Sequence, residues 1–427
     1  MMQTLLEFPY GKGKITYDFQ DENLVGHLTS SLGEYTPSLL GEELVCEAMA
    51  SPIGSPRLSA LAKGKKRIVI IASDHTRPVP SKVIIPPMLR EIRETAPDAE
   101  ITILIATGCH RETTEAELIH KFGEEIVRNE RIVIHDSSDA GAMVSLGRLP
   151  SGGELLVNRL AAEADLLLAE GFIEPHFFAG FSGGRKSVLP GIAASETVLA
   201  NHCSEFIAHP RSRTGILDKN PIHEDMLWAA KRARLAYIVN VVINESKEAI
   251  YAVAGEPEAA HAAGCAFLSG LCRAKPIPAD VVVTTNGGYP LDQNIYQSIK
   301  GMTAAEATVR EGGVIIMLAS ATDGHGGEEL YRQLAGEPDG EKTMQAILRR
   351  SRGETIPDQW QLQILLRILY RARVIFVSEA PDAMVKDMHM IPAKSLDAAL
   401  ALAKELLGCD RPSITAIPDG ISVVVAD

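Results

Sequence analysis

Short apolar runs alternate along the chain with longer amphipathic segments. Residues 67–73, Arg-Ile-Val-Ile-Ile-Ala-Ser, form the first strong run, and a segment that predicts a helix follows at 81–95. A nearly continuous apolar run predicts a strand that is buried on both faces. Further strands are predicted before residue 244, at 100–107, 131–135, 164–170 and 236–243. Strands that alternate with helices in this way predict a mostly parallel, doubly wound α/β sheet.

The strand–helix pattern starts again after residues 275–279, a proline-containing segment that predicts a linker. Beyond it, strands are predicted at 280–285, 313–320, 373–377, 413–417 and 422–425. A chain of 427 residues is too long for one ordinary core. We therefore predict two α/β domains, residues 1–274 and a smaller one at 275–427, with the active site in the cleft between them. Ahead of the first sheet, apolar–polar alternation over residues 3–20 predicts a hairpin.

Composition narrows the classes of function. The formal net charge of -13 at pH 7 argues against nucleic acid or an anionic membrane as the main partner. The six cysteines are scattered without a Cys-x-x-Cys pair, which favours reduced thiols in the cytoplasm. The N-terminus lacks a signal-peptide pattern, and no apolar run reaches the roughly 18 residues that a membrane span needs. We therefore expect a cytoplasmic protein that draws any anionic ligand with local positive groups.

A glycine-rich stretch at residues 174–192 follows the strand predicted at 164–170. Glycine lets the backbone turn sharply and approach a ligand closely. The stretch resembles a P-loop but fails its pattern, because Arg185 separates Gly184 from Lys186. A nucleoside triphosphate is therefore disfavoured. An anionic ligand that meets backbone amides and Lys186 at this turn remains the prediction.

Three histidines stand at informative positions. His110 and His176 each follow a predicted strand, and ligands bind beyond the carboxyl ends of the strands in such sheets. Two imidazoles on opposite faces of a substrate suit a racemase, since one accepts a proton while the other donates one. For either histidine alone, a polar loop residue is the commoner explanation. His202 could bind Zn, Ni or Cu, although a structural role is the commoner one and no second ligand stands at helical spacing.

Other polar residues have two explanations each. Arg77 could hold a phosphate or carboxylate, with Asp74 on a ribose hydroxyl, or the two could simply fix their loop. Gln297 and Lys300 lie three residues apart on one predicted helix face, where they suit a small carboxylate or a solvated surface. Trp360 could line an apolar wall of a site or pack in the core.

Several motifs together resemble the nickel-dependent lactate racemase family. They are Ser-Asp-His-Thr-Arg-Pro at 73–78, Ala-Thr-Gly-Cys-His-Arg at 106–111, residues 174–186, Asn-His at 201–202 and Tyr-Gln-Ser-Ile-Lys at 296–300. The resemblance runs in order over nearly the whole chain. It implies a two-domain α/β enzyme with a nickel-pincer nucleotide, pyridinium-3,5-bisthiocarboxylic acid mononucleotide, whose sulfurs and ring carbon bind nickel.

The resemblance also implies a role for each site residue. Lys186 would be joined covalently to the cofactor, His202 would complete the nickel site, and His110 and His176 would be the paired acid and base. The remaining residues divide between cofactor and substrate. The cofactor's ribose and phosphate would be held by Asp74, Arg77, Ser182, Gly183 and Gly184. The substrate would be positioned by Arg77, Tyr296, Gln297, Lys300 and Trp360.

The implied reaction is the racemisation or epimerisation of a 2-hydroxy acid, with lactate as the default substrate, by proton-coupled hydride transfer to the cofactor. The partners would be that small molecule and the enzymes that make the cofactor. Two alternatives remain open from the residues alone. One is a metal-dependent hydrolase that uses His202 and the loop histidines. The other is a non-catalytic binding module for a small anionic nucleotide.

Overall fold

The structure is a computed structural model that describes residues 4–19, 23–244 and 246–426. The chain divides into two compact units. We call the first the glycine-loop unit, which comprises Leu32–His202 and His209–Gly270. The second, the C-terminal unit, comprises Met1–Ser31, Cys203–Ala208 and Leu271–Asp427, within the described residues. The N-terminal segment thus groups with the C-terminal unit and not with the unit that follows it.

The strands are numbered here in chain order. They are β1 (Leu5–Tyr10), β2 (Gly13–Asp18), β3 (Leu24–His27), β4 (Arg67–Ser73), β5 (Glu100–Ala106), β6 (Arg131–Ile134), β7 (Met143–Arg148), β8 (Glu154–Asn158), β9 (Leu166–Phe172), β10 (Pro175–His176), β11 (Gly180–Phe181), β12 (Leu235–Ile243), β13 (Ala249–Gly255), β14 (Arg273–Ala274), β15 (Ala279–Thr285), β16 (Val309–Leu318), β17 (Arg373–Val377), β18 (Ile391–Ala393), β19 (Ile414–Ile417) and β20 (Val424–Val425).

The helices follow the same convention. They are α1 (Gly41–Ala50), α2 (Leu58–Ala62), α3 (Ser81–Thr95), α4 (Glu115–Phe122), α5 (Glu124–Asn129), α6 (Arg159–Ala162), α7 (Ser195–Asn201), α8 (Ser204–Ala208), α9 (Pro221–Arg232), α10 (Pro257–Cys272), α11 (Ile295–Glu306), α12 (Glu328–Gly336), α13 (Gly340–Arg349), α14 (Gln359–Arg371), α15 (Asp382–Asp387) and α16 (Leu396–Leu407). Among the described residues, no helix combines the length and the apolar character that crossing a bilayer requires.

The glycine-loop unit is built on a six-stranded sheet in the order β13-β12-β9-β4-β5-β6. All neighbouring strands are parallel except β13, which runs antiparallel to β12. The predicted parallel α/β sheet is confirmed. Apolar side chains of β4, β5 and β9 pack with those of α1 and α3 into one core, including Ile70, Ile103 and Leu168, none of which is exposed. Burial of such side chains is the main stabilising contribution.

The order of the strands indicates where along the edge of this sheet a ligand would bind. From β4 the chain proceeds outward to β5 and β6, and then returns to β9 on the other side of β4 before it reaches β12. The direction of winding therefore reverses between β4 and β9. In doubly wound sheets, ligands bind beyond the carboxyl ends of the strands at such a reversal. Asp74 follows β4 directly, and the glycine-rich stretch follows β9.

The C-terminal unit contains a second six-stranded sheet, in the order β18-β17-β16-β15-β19-β3, with all its pairs parallel. Its central strand β15 is buried along most of its length, as its run of valines predicted. The hairpin predicted near the N-terminus is confirmed within the described residues, since β1 and β2 pair antiparallel. Residues 3 and 20 of that prediction lie outside the described residues.

Candidate active site

Asp74 and His110 form a hydrogen-bonded pair beyond the ends of β4 and β5. The Oδ2 atom of Asp74, which is 1% exposed, lies 2.7 Å from His110 Nδ1. Its Oδ1 atom accepts hydrogen bonds from Thr76 N and Thr76 Oγ1, at 3.2 and 2.7 Å. Burial raises the pKa of Asp74, but the hydrogen bonds from His110 and Thr76 and the charge of Arg77 outweigh it, and the net pKa lies below its ordinary value. The contact was not predicted from the sequence, which paired Asp74 with a ribose hydroxyl or with Arg77.

The ionised carboxylate determines the tautomer of His110. Because an ionised carboxylate only accepts hydrogen bonds, His110 places its proton on Nδ1 and its lone pair on Nε2. The side chain is 41% exposed, so a substrate can reach Nε2. His110 is thus arranged as a proton acceptor whose charged form Asp74 stabilises.

His176 has a hydrogen-bond donor beside each ring nitrogen. It pairs with Gly180 in the small hairpin of β10 and β11, and Ala179 N donates to His176 Nδ1 at 3.2 Å. A neutral ring has one lone pair, so it can accept from the amide of Ala179 or from the ammonium of Lys186, but not from both. The Nε2 atom lies 3.4 Å from Lys186 Nζ, so the lysine predicted to anchor a cofactor adjoins one of the predicted acid–base histidines.

Phe178 is the centre of a cluster that also contains His176, Lys186 and His202. Its ring centroid lies 4.5 Å from that of His176 and 5.0 Å from that of His202. The ammonium of Lys186 lies 5.8 Å from the same ring. Residues 26 positions apart in sequence, from His176 to His202, are therefore brought together. A backbone hydrogen bond of 3.0 Å from Gly108 N to Gly191 O ties the loop that carries His110 to the glycine-rich stretch.

His202 has the form that a metal-binding histidine takes. It caps the C-terminus of α7, is 5% exposed, and its Nδ1 lies 3.0 Å from Val198 O. That bond places the proton on Nδ1 and the lone pair on Nε2, as in metal-binding histidines. Burial, and then the charge of Lys186, lower the pKa of His202 to about 3, so the ring is neutral at pH 7. Over the described part of the chain, no group of three or more His, Cys, Asp or Glu side chains could hold a metal ion.

The glycine-rich loop is shaped by buried polar residues that the sequence reasoning missed. Asn240 Oδ1 accepts a hydrogen bond from Gly184 N at 2.8 Å. A Cβ at Gly183, where φ is +76°, would lie 2.8 Å from the same oxygen. Ser182 Oγ accepts from Glu174 N and donates to Phe172 O, both at 2.9 Å. The glycines are thus required by close packing. The available signal was the amide of Asn240 within an otherwise apolar strand.

Arg185 also holds this loop together. It is 2% exposed, and its guanidinium donates to Phe181 O at 2.8 Å and to Ala179 O at 2.7 Å. It also donates to His223 Nδ1 at 3.0 Å. Burial lowers the pKa of Arg185 to about 10, which leaves it charged at pH 7. The sequence had identified Arg185 only as the residue that breaks the P-loop pattern.

The predicted substrate residues of the C-terminal unit lie on α11 and α14. Asn294 caps α11 by accepting from Gln297 N at 2.9 Å, and Lys300 follows on the same helix. Tyr296 Oη donates to Asp358 Oδ1 at 3.0 Å, two residues before the partly buried Trp360. Tyr296 and the start of α14 are therefore brought together. Arg77, in the glycine-loop unit, is exposed.

Comparisons with known proteins identify the family. The family model for the lactate racemase N-terminal domain matches residues 10–215, and that for the lactate racemase C-terminal domain matches residues 274–425. This chain belongs to the lactate racemase family. It is therefore an isomerase of the racemase class, and the hydrolase and binding-module alternatives are set aside.

Individual lactate racemases match over nearly their full length. The lactate racemase of Thermoanaerobacterium thermosaccharolyticum is 55% identical, over 99% of this chain and 99% of that protein. The lactate racemase of Lactiplantibacillus plantarum is 53% identical, over 98% of this chain and 99% of that protein.

Two solved structures share the fold. The lactate racemase apoprotein from Thermoanaerobacterium thermosaccharolyticum superimposes with a TM-score of 0.95 at 54% identity, covering 99% of this chain and 100% of that one. A protein from Thermotoga maritima has a TM-score of 0.63 at 19% identity, covering 90% of this chain and 98% of that one. The second likeness shows the fold alone.

Proposed function

We propose that this chain interconverts the two enantiomers of lactate with a nickel-pincer nucleotide that is bound covalently to Lys186. The observation that carries the proposal is a pair of histidines beyond the strand ends: His110 presents a lone pair at Nε2, and Nε2 of His176 lies beside Lys186. A racemase needs one proton acceptor and one proton donor, with the roles exchanged for the other enantiomer. The lactate racemases described above support lactate as the substrate.

The residues present fit such a cofactor. His202 is a buried, neutral imidazole with its lone pair on Nε2, the form that binds nickel. Lys186 follows a loop whose shape Ser182, Gly183 and Gly184 determine, and it adjoins His176. When bound, the nucleotide supplies the acceptor that takes the substrate's α-hydrogen as hydride and returns it. The contacts of Asp74 and Arg77 with its ribose and phosphate stay predictions from the resemblance.

His110 accepts the hydroxyl proton of one enantiomer. Its Nε2 takes the proton, and the ring becomes a cation while Asp74 still accepts the hydrogen bond from Nδ1. A buried carboxylate at 2.7 Å stabilises that cation through a charge-assisted hydrogen bond. Asp74 therefore lowers the barrier by supporting the charge that develops on the ring, as in other carboxylate–histidine pairs.

His176 returns a proton to the opposite face. As a cation protonated at both ring nitrogens, His176 can donate its Nε2 proton to the oxygen of the 2-keto acid, which restores the hydroxyl group of the other enantiomer and leaves a neutral ring. In the reverse direction, the two histidines exchange roles. In both roles His176 carries a proton on Nδ1, so the ring must release the amide of Ala179 during turnover.

We assign the substrate's carboxylate to Arg77, because a guanidinium fork binds carboxylates. The substrate contacts of Tyr296, Gln297, Lys300 and Trp360 stay predictions from the resemblance. These assignments rest on the residue chemistry and on the resemblance.

Intact mass spectrometry with metal analysis tests the proposal, on protein produced together with the cofactor-making enzymes. We expect a mass addition on the parent chain, about one nickel per chain and racemisation of both lactate enantiomers. Lys186→Ala should lose the addition, whereas Lys342→Ala, at an exposed lysine, should keep it. An unmodified, nickel-free parent chain, under conditions that load a known lactate racemase, would refute the proposal.

A further inference from the structure

The loop that follows β4 carries three of the site residues. We call residues 74–80 the Asp74 loop, which contains Asp74, Thr76 and Arg77 between Ser73 and the start of α3 at Ser81. Two buried charged side chains contact this loop or the residues that flank it, and they have no part in the mechanism above. They are Glu170 on β9 and Lys121 on α4, which are 2% and 8% exposed. Buried charges are costly unless their contacts are good, so their role here requires an explanation.

Glu170 joins the two ends of the Asp74 loop. Its Oε1 atom accepts hydrogen bonds from Ser73 N at 2.9 Å and from Ser73 Oγ at 3.0 Å. The same atom accepts from Ser81 Oγ at 3.1 Å. One carboxylate oxygen thus fixes the residue before the loop and the residue after it. The other oxygen, Oε2, is buried and has no hydrogen-bond partner among the described residues.

Lys121 holds the middle of the loop. Its Nζ atom donates to Arg77 O at 3.0 Å and to Val79 O at 3.5 Å. Burial is the largest effect on the pKa of Lys121 and lowers it, while the charges of Glu170 and Asp74 raise it. The ammonium therefore lies in the field of the carboxylate that closes the loop. Together, the two side chains restrain the loop at its ends and at its centre.

We propose that Glu170 and Lys121 are positioning residues that fix the backbone of the Asp74 loop. Glu170 holds the residue that precedes Asp74, and so keeps the carboxylate in place beside His110. Lys121 holds the carbonyl of Arg77, and so keeps the guanidinium where the substrate's carboxylate binds. The expected effects on catalysis, through Asp74 and Arg77, rest on the proposed function. The restraint of the loop backbone does not.

Two substitutions separate these roles. Glu170→Gln keeps the shape but replaces a charged acceptor with a weaker neutral one, and we expect kcat to fall about tenfold with KM unchanged. Lys121→Met removes the donor and keeps an unbranched side chain that is one atom shorter. We expect it to raise KM about tenfold, because the carboxylate contact of Arg77 is misplaced. Lys121→Arg, which retains donors and charge, should recover part of that loss.

Two residues near the C-terminal end of α3 offer matched controls. Glu91, which is 5% exposed, accepts from Ser59 N at 3.3 Å and from Ser59 Oγ at 3.2 Å, as Glu170 does from Ser73. Arg93 donates to Pro97 O at 3.1 Å and to Ala99 O at 2.7 Å, just before β5 begins. Glu91→Gln and Arg93→Met therefore remove the same kinds of contact away from the site, and also weaken the ion pairs of Glu91 with Arg57 and of Arg93 with Glu130. We expect them to leave kcat and KM unchanged.

Hydrogen–deuterium exchange on the cofactor-free protein tests the restraint without any activity. Exchange within residues 74–80 should be faster in Glu170→Gln and Lys121→Met than in the parent or in the two controls. Kinetics are then measured on chains with equal mass addition. Unchanged exchange in both variants, or the same kinetic losses in the controls, would overturn the inference. A parent chain that fails to racemise lactate would refute the proposed function alone, since the exchange result still decides the restraint.

Discussion

Asp74→Asn tests how the proton on His110 is controlled. In the parent chain, Asp74 Oδ1 accepts two hydrogen bonds from Thr76, while Oδ2 lies 2.7 Å from His110 Nδ1. An asparagine keeps its carbonyl oxygen toward the two donors of Thr76, and its amide nitrogen then faces Nδ1. That nitrogen donates, which moves the imidazole proton to Nε2. The variant therefore lacks the lone pair that accepts the substrate's proton.

Two effects determine the size of the loss. A hydrogen bond to a charged group contributes about 1.5–3 kcal/mol, which corresponds to about 10- to 150-fold in rate. The wrong tautomer has a larger effect, since the same change in a Ser-His-Asp triad costs about 10⁴-fold. We therefore expect kcat to fall about 10²- to 10⁴-fold in Asp74→Asn. Asp74→Ala should lose less activity, because alanine places no donor beside Nδ1 and so does not force the imidazole proton onto Nε2.

The assay follows racemisation from each pure enantiomer by chiral chromatography. Intact mass must first show equal cofactor addition, so that a defect in loading is not read as a defect in proton transfer. The expected order of kcat is parent, then Asp74→Ala, then Asp74→Asn. An Asp74→Asn enzyme as fast as the parent would refute the role of the carboxylate. An Asp74→Ala enzyme slower than Asp74→Asn would refute the tautomer argument.

Three further predictions concern stability and loading. Asn240→Ala leaves the buried amide of Gly184 unpaired and should lower the free energy of unfolding by about 1–3 kcal/mol, measured in urea. Gly183→Ala should prevent cofactor addition, as seen by mass, whereas Gly64→Ala, with a similar φ of +75° but no atom within 4 Å of the new Cβ, should load normally. The folded pKa of Asp74 is depressed, so its stabilising contribution is complete above its ordinary value of 3.8 and is lost as pH falls through the folded pKa. The difference in Tm between Asp74→Asn and the parent should therefore narrow as the pH falls below 3.8. A difference in Tm that does not change with pH would contradict this prediction.

The central strands could be predicted because burial on both faces leaves a continuous apolar signature. The strands β4 and β15 begin and end within one residue of the predicted bounds. The edge strands β3 and β18 are only four and three residues long and were not predicted. Their apolar pattern is too short to distinguish from a loop, and only pairing with a neighbouring strand defines them.

The sequence predicted which residues belong to the candidate site better than it predicted the contacts between them. His110, His176 and Lys186 stood at strand ends or glycine turns, which local sequence reveals. The bond between Asp74 and His110 joins residues 36 positions apart, and the contact of Glu170 with Ser73 joins residues 97 apart. Such pairs depend on which strands become neighbours, and a single sequence does not specify that order. Polar residues inside apolar strands, such as Glu170, were the one local sign of these contacts.

Arg185 has a consequence for how the enzyme is assembled in the cell. Its guanidinium bonds carbonyl oxygens of the glycine-rich loop from within the protein, so the loop takes its shape without help from any bound molecule. A binding partner that meets an already ordered surface loses less conformational entropy than one that must order it. We expect newly made chains to mature as preformed receptors, so that delivery of the proposed nucleotide, and not refolding, limits how quickly they become active.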